Sequence, residues 1–397
     1  MKLIERDEYM EKLRRVMETP DIKVLTGVRR CGKSKLMEMF MEYVKRTVPD
    51  ANVIHANLSL AENEWLLEYH RLNSFIENSC IPGRKNFVFI DEVQMCSGFE
   101  RTINGLHASE KYDIYITGSN AFLLGSDLAT LFTGRTFDIE VFPFSFKEYV
   151  KYFGCEIPYK SLDDYLKNGG MAGAYEYAET EEKYEYAAGV YDTLIVRDVK
   201  QKYRIRNTEA LEKISSFLMD NVSNQTSPNN IAECLLRDGC KIDRKTVSQY
   251  MDYLCRAFAF YKVKRWDVRG KKYFATNDKY YLSDHVFRYA KLGSRSTDRG
   301  RMLENVVAVE LMRRGYKVYT GVLYKKEIDF VAVKREKILY VQVADNISAE
   351  NTFEREVSPL LQIRDAYPKL LIARTWQPEY LHEGIRVIDA ADWLLNG

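Results

Sequence analysis

The sequence predicts an α/β protein with three parts: a parallel-sheet domain, a helix-turn-helix followed by a hairpin, and a second, smaller α/β domain. Three stretches carry this prediction. "VLTGVRRCGKSKLMEMF" places a glycine-rich turn between an apolar strand and an amphipathic helix. "TEALEKISSFLMDNV", "SPNNIAECLLRDG" and "DRKTVSQYMDYLCRAF" are three short amphipathic helices that lead into strand-like runs. "KEIDFVAVKREKILYVQVADN" alternates like a hairpin. The boundaries they suggest are 1–150, 151–207 for a helical connector, 208–290 and 291–397.

Composition narrows the class. At 397 residues, with 46% hydrophobic and 13% aromatic side chains, the chain suits several packed cores and has no low-complexity tract. Its longest apolar runs, such as "NFVFI", fall far short of the ~20 residues that span a bilayer. The N-terminus mixes both charges at helical spacing and lacks the apolar centre of a secretion signal, so a cytoplasmic location is expected. The 7 cysteines are scattered with no CxxC pair, which argues against a disulfide framework or a zinc site and agrees with a reducing compartment. A net charge of +2, from 59 basic and 57 acidic residues, confines any nucleic-acid surface to a local patch.

In the first part, "GVRRCGKS" fits G-x-x-x-x-G-K-[ST]. Gly27 and Gly32 let backbone approach phosphates closely, and the amides that open the following helix aim partial positive charge at them. The cradle comprises Gly27, Val28, Arg29, Arg30, Cys31, Gly32, Lys33, Ser34 and Lys35. Lys33 suits β- and γ-phosphates and Ser34 suits Mg²⁺. Leu36, Met37, Phe40 and Met41 form the buried stripe of the helix. "RKNFVFIDEVQ" is a second strand, which ends in Asp91 and Glu92; Asp91 would hold Mg²⁺ through water and Glu92 would orient or deprotonate the attacking water. A third strand, "YDIYIT", ends in "GSN", where Ser119 or Asn120 could sense the γ-phosphate, or simply turn the chain. Arg135 follows a glycine and could stabilise transition-state charge on its own or a neighbouring chain's nucleotide, or pair on the surface. Whether the chain forms an oligomer stays open.

The order "GVRRCGKS", "FIDEVQ", "ITGSN", "LFTGRTFDIEVFPFSFKEY" is similar to a group of bacterial and archaeal AAA-type P-loop ATPases that carry a C-terminal region designated DUF4143. "YLKNGGMAGAYEY" and "LIVRDVKQKYRIR" extend the likeness through the middle. The resemblance implies Mg-ATP binding at residues 27–34, Asp91 and Glu92, with ATP hydrolysis to ADP and phosphate. It implies Arg135 as the finger. The leading reading of the whole chain is a nucleotide-driven switch coupled to DNA or a protein partner, with a signalling or scaffold protein that holds nucleotide structurally, or an ATP-gated nuclease, as the alternatives.

The three helices of 208–256 bury Leu211, Ile214, Phe217 and Leu218, then open at Ser227 and Pro228, then bury Val247, Tyr250, Met251 and Leu254. With the strand-like runs "AFYKVKRWDV" and "KKYFATNDKYYLSD" they read as a winged helix with Arg269 and Gly270 at the wing tip. Lys262, Lys264, Arg265, Arg269, Lys271 and Lys272 stand against Asp267 alone, interleaved with Tyr261, Trp266 and Tyr273. That mixture suits double-stranded DNA, with Arg244 and Lys245 positioned to read a groove, or else a solvated docking face.

The last part, a long helix bearing Leu303, Val306, Val307 and Leu311 and then strands, matches a small restriction-endonuclease-like domain. The active form of that fold needs a helix Glu, a strand-end Asp and a Glu-x-Lys pair. Glu304 and Asp329 are present, but Gln342 and Ala344 replace the pair. Lys334 and Lys337 lie too far along the hairpin to supply the lysine. The domain is therefore expected to be an inactive nuclease, retained as a structural or docking element.

Overall fold

The computed structural model describes residues 2–118, 132, 134–270, 272–273, 277–293, 299–324 and 326–396. The chain forms two compact units, 2–142 and 143–397.

The first unit is a five-stranded parallel sheet: β1 (Ile22–Thr26), β2 (Ala51–Asn57), β3 (Lys85–Asp91), β4 (Tyr112–Thr117) and β5 (Thr136–Glu140), in the order β2-β3-β4-β1-β5. Parallel neighbours need crossover connections, and helices Lys33–Thr47, Tyr69–Ser79 and Phe99–Ala108 lie in them. Helices cover both faces, so the inner strands are buried along their length: all five residues of β1 are buried, Lys23 among them through its pair with Asp113. On one face Val24, Val88, Ile90 and Ile116 pack against Leu72, Ile76 and Ile103. On the other, helix Lys33–Thr47 inserts its predicted stripe, with Phe40 against Tyr115 at a centroid distance of 5.2 Å, and Tyr115 stacks on Phe89 at 4.8 Å.

The unit ends at 142, earlier than the expected 150. Helix Phe146–Phe153 opens with a capping box between Ser145 and Glu148 and turns Tyr149 and Tyr152 onto Tyr165 and Tyr175 of the second unit's own helices. Burial of those rings, worth roughly 1.5–3 kcal/mol for each large side chain, assigns the helix.

The second unit begins with helices, among them Pro158–Asn168, Thr180–Thr193 and a π-helical turn Leu194–Gln201. Helices Thr208–Asp220, Pro228–Arg237 and Arg244–Arg256 follow as expected, capped by Asn207, Ser227 and Asp243. Their predicted stripes are buried, except that Phe217 is only half-buried while Met219 takes a core position.

Beyond them stand β6 (Phe260–Asp267), β7 (Lys272–Tyr273), β8 (Lys279–Leu282), β9 (Lys317–Leu323), β10 (Lys326–Lys334), β11 (Lys337–Ala344), β12 (Lys369–Ala373), β13 (Tyr380–His382) and β14 (Ile385–Asp389). They form one nine-stranded sheet in the order β13-β14-β12-β11-β10-β9-β6-β7, with β8 on β6. The first half of β6 pairs antiparallel with β8, and Lys264 through Asp267 pair parallel with β9. The predicted wing is therefore not a free hairpin: its second run is divided between β7 and β8, and the expected division at 290 runs through a continuous sheet. Among the described residues no helix is long and apolar enough to cross a membrane.

Candidate phosphate site and carboxylate cleft

The phosphate loop follows β1 at the C-terminal edge of the parallel sheet. Gly27 has φ +139° and Gly32 φ +99°, a region in which a side chain is strained. A Cβ on Gly27 would lie 2.0 Å from the Val141 carbonyl oxygen, so only glycine fits. Helix Lys33–Thr47 starts at Gly32 with no side-chain cap, which leaves its first-turn amides for a ligand. Val28 and Cys31 turn their side chains into the core, so these two positions offer a ligand backbone only. Arg30 and Lys35 are exposed, while Arg29 and Ser34 are half-buried. The buried Lys33 ammonium donates to the Gly27 and Val28 carbonyls at 2.9 and 3.2 Å.

The strand order places β4 between β1 and β3. Thr117, at the end of β4, donates a short hydrogen bond to Asp91 Oδ1 and accepts the Glu92 amide at 3.1 Å. Glu92 has φ +55°, an unusual conformation for this residue type, and Gln94 Nε2 donates to its Oε2 at 2.5 Å. The lysine, hydroxyl and carboxylate of Lys33, Ser34 and Asp91 are residue types that fit a phosphate-bearing ligand with a divalent cation.

Sequence reading missed four contributors. Arg6 donates to the Cys31 carbonyl at 3.0 Å and the Phe142 carbonyl at 2.9 Å, while Tyr9 accepts the Phe142 amide at 3.0 Å. Thr117 and Gln94 lay inside quoted motifs, but nothing in the sequence identified their partners. Arg135 lies at the other edge of the sheet: its carbonyl accepts the Ile22 amide at 2.9 Å, at the opposite end of β1 from the loop, ~13 Å of strand away. Ser119 and Asn120 lie outside the described residues.

In the second unit the structure brings Glu304, Asp329 and Gln342 together. A bulge in β10 between Ile328 and Val331 re-aims Asp329. Asp329 Oδ2 accepts the Val343 amide at 2.9 Å, and Gln342 Oε1 accepts the Asp329 amide at 3.3 Å. Gln342 Nε2 donates to Glu356 Oε2 at 2.9 Å. They line an open cleft of about 520 Å³ with Glu327, Lys326 and Arg355. Ala344 joins an apolar cluster, and Lys334 bonds the Arg314 carbonyl at 2.5 Å, away from the cleft.

The ammonium missing from the expected Glu-x-Lys pair arrives instead from β8. Lys279 Nζ lies 3.0 Å from Glu304, 2.7 Å from Glu327 and 3.9 Å from Asp329. Burial alone would lower the Lys279 pKa, but Glu304, Asp329 and Glu327 outweigh it and hold it above the ordinary value. Burial, then Glu304, pushes Asp329 well above the usual carboxylate range, against the opposite pull of Lys279. Lys279 sits in a run that reads as a wing strand, 25 residues before Glu304, and no local signal links the two.

The basic wing residues are only partly displayed. Lys264 and Arg269 are exposed, Arg265 is half-buried and Lys262 pairs with Asp278 at 3.2 Å. Arg269 lies over the Tyr324 ring at 5.6 Å. Arg244 and Lys245 are exposed at the start of their helix. Lys271 lies outside the described residues, as does the Lys272 side chain.

The fold and loop define an AAA-type P-loop ATPase architecture, and residues 19–150 match the family model described as an AAA domain. Residues 159–298 match a domain of unknown function, DUF8612, where the sequence resemblance had implied DUF4143. The chain belongs to one family with an uncharacterized protein of Haemophilus influenzae, to which it is 36% identical over 99% of both chains. An uncharacterized protein of Methanocaldococcus jannaschii is 28% identical, covering 85% of this chain and 77% of its own. A solved Walker-type ATPase of Pyrococcus abyssi shares the fold at a TM-score of 0.51 and 16% identity, covering 72% of this chain and 95% of its own.

Proposed function

We propose that the protein is an ATPase that works as a Mg-ATP-driven switch. The observation that carries this reading is the convergence, at the C-terminal ends of neighbouring strands, of the left-handed glycine loop, buried Lys33, Asp91 and the positive-φ Glu92. The helix amides and Lys33 bind the phosphates, and the Lys33 ammonium exchanges its loop carbonyls for phosphate oxygens. Ser34 directly and Asp91 through water would hold Mg²⁺, which would offset charge on the phosphates. Glu92, steadied by Gln94, orients and deprotonates the attacking water. Arg135 acts on the nucleotide of a neighbouring chain, since its own loop lies at the far end of β1, and Asn120 senses the γ-phosphate.

In this reading the helix-turn-helix of 208–256 is a winged helix. Its basic residues, with Arg244 and Lys245, meet double-stranded DNA, while the C-terminal part is an inactive restriction-endonuclease-like domain. One observation favours a second reading, a scaffold that binds nucleotide and docks a protein: β6 has strand neighbours on both sides, so the wing is not a mobile finger.

Lys33→Ala tests the nucleotide assignment. Titration calorimetry with Mg-ATP should show binding to the wild type and none to the variant; equal binding by both would overturn the proposal.

A further inference from the structure

Two acids of the cleft, Glu304 and Glu327, are met by groups from the preceding module, while Asp329 and Glu356 are met from the C-terminal part itself. Glu304 Oε1 receives both Lys279 and the Tyr281 hydroxyl, the latter at 2.7 Å. Glu327 Oε1 receives Lys279, and its Oε2 receives Gln225. Glu356 is bonded by Gln342 and by Arg355, the latter at 2.7 Å. Gln225, Lys279 and Tyr281 all precede the helix that carries Glu304. The Lys279 side chain is 3% exposed, so its charge is answered inside the protein and not by water. Among the described residues no group of three or more His, Cys, Asp or Glu side chains is arranged to hold a metal ion.

We propose that the Lys279 ammonium is a tethered cation that takes the place of a divalent metal in this cleft, closing it to metal and joining the helix-turn-helix module to the C-terminal strands. Carboxylates crowded this closely are stabilised by protonation or by a compensating cation, and a fixed ammonium supplies one positive charge where a divalent metal would supply two. The ammonium differs in being covalently part of β8. It cannot leave, so the joint does not depend on metal supply, and β8 is held to both Glu304 and β10. An ammonium 2.7 to 3.0 Å from two carboxylates also leaves no room for a cation that needs the same oxygens at 2.0–2.6 Å.

The test is Mn²⁺ binding by the full-length, nucleotide-free chain, read by electron paramagnetic resonance, in wild type, Lys279→Gln, and Lys279→Gln combined with Glu304→Gln. Glutamine keeps most of the lysine's reach without its charge. Lys279→Gln should gain one Mn²⁺ site at least about tenfold tighter than any the wild type shows, and Glu304→Gln should remove it again. No gain of Mn²⁺ by a folded Lys279→Gln chain would overturn the proposal. So would Mn²⁺ bound by the wild type and lost in a single Glu304→Gln variant, a comparison that stands even if Lys279→Gln does not fold.

Discussion

Lys33 and Lys279, two of the three buried lysines among the described residues, have opposite surroundings, and the contrast separates a site from a joint. Lys33 donates to the carbonyls of Gly27 and Val28, neutral dipoles that leave its charge available to an arriving anion. Lys279 faces Glu304 and Glu327, whose carboxylates already engage its charge. Lys33 was legible because its spacing from Gly27 and Gly32 is set by the local geometry of a turn. Lys279 was not, because its partners are brought to it only by strand pairing. Asp329 gives the residue-scale prediction. Its pKa is raised above the usual 3.8, so the folded chain takes up a proton at a pH where the unfolded chain has released it. The wild type therefore gains stability relative to Asp329→Asn as pH falls toward 3.8, and loses that gain as pH rises through the raised value. Urea midpoints should shift in favour of the wild type, relative to the variant, as pH is lowered from alkaline values toward 3.8; a constant difference would refute the assignment.

Among elements, the amphipathic helices and their caps were readable because a period of 3.6 residues is local information. The lateral order of strands was not: nothing in "YDIYIT" says that β4 lies between β1 and β3 and brings Thr117 to Asp91. The N-terminal helix Asp7–Val16 was equally silent about its role. Its preceding residue, Arg6, braces the phosphate loop through two buried carbonyls, one in the loop and one following β5. Hydrogen bonds from a charged donor contribute ~1.5–3 kcal/mol each, so Arg6→Ala should cost at least ~2 kcal/mol in the unit that holds the loop. Calorimetric unfolding would register this, together with weakened Mg-ATP affinity if the loop loosens. An unchanged midpoint would mean that other contacts hold the loop.

For the whole molecule, a net charge of +2 provides no global attraction to DNA. Any affinity must come from the local basic residues of β6, the turn after it, and helix Arg244–Arg256. Binding to a duplex should then fall as salt rises, with a slope of about 0.9 per phosphate contacted, and Lys264→Ala with Arg269→Ala should make that slope shallower by roughly 2. No binding at low salt would favour the protein-docking reading. The two α/β regions and the helices between them were visible in the sequence as blocks of pattern. That the later blocks share one sheet was not, because the pairing of β6 with β9 links residues more than fifty apart.

That pairing also bears on how the chain is made. While residues beyond 316 are still in the ribosome, the β6 edge from Lys264 to Asp267 has its backbone groups open on the side that β9 will cover. The helix-turn-helix module therefore emerges before its last strand neighbour and must wait for it, a long-range closure that is slow by nature. A nascent or truncated chain that stops near 290 presents this edge to other chains, which makes premature termination here a route to aggregation and not to a smaller working module.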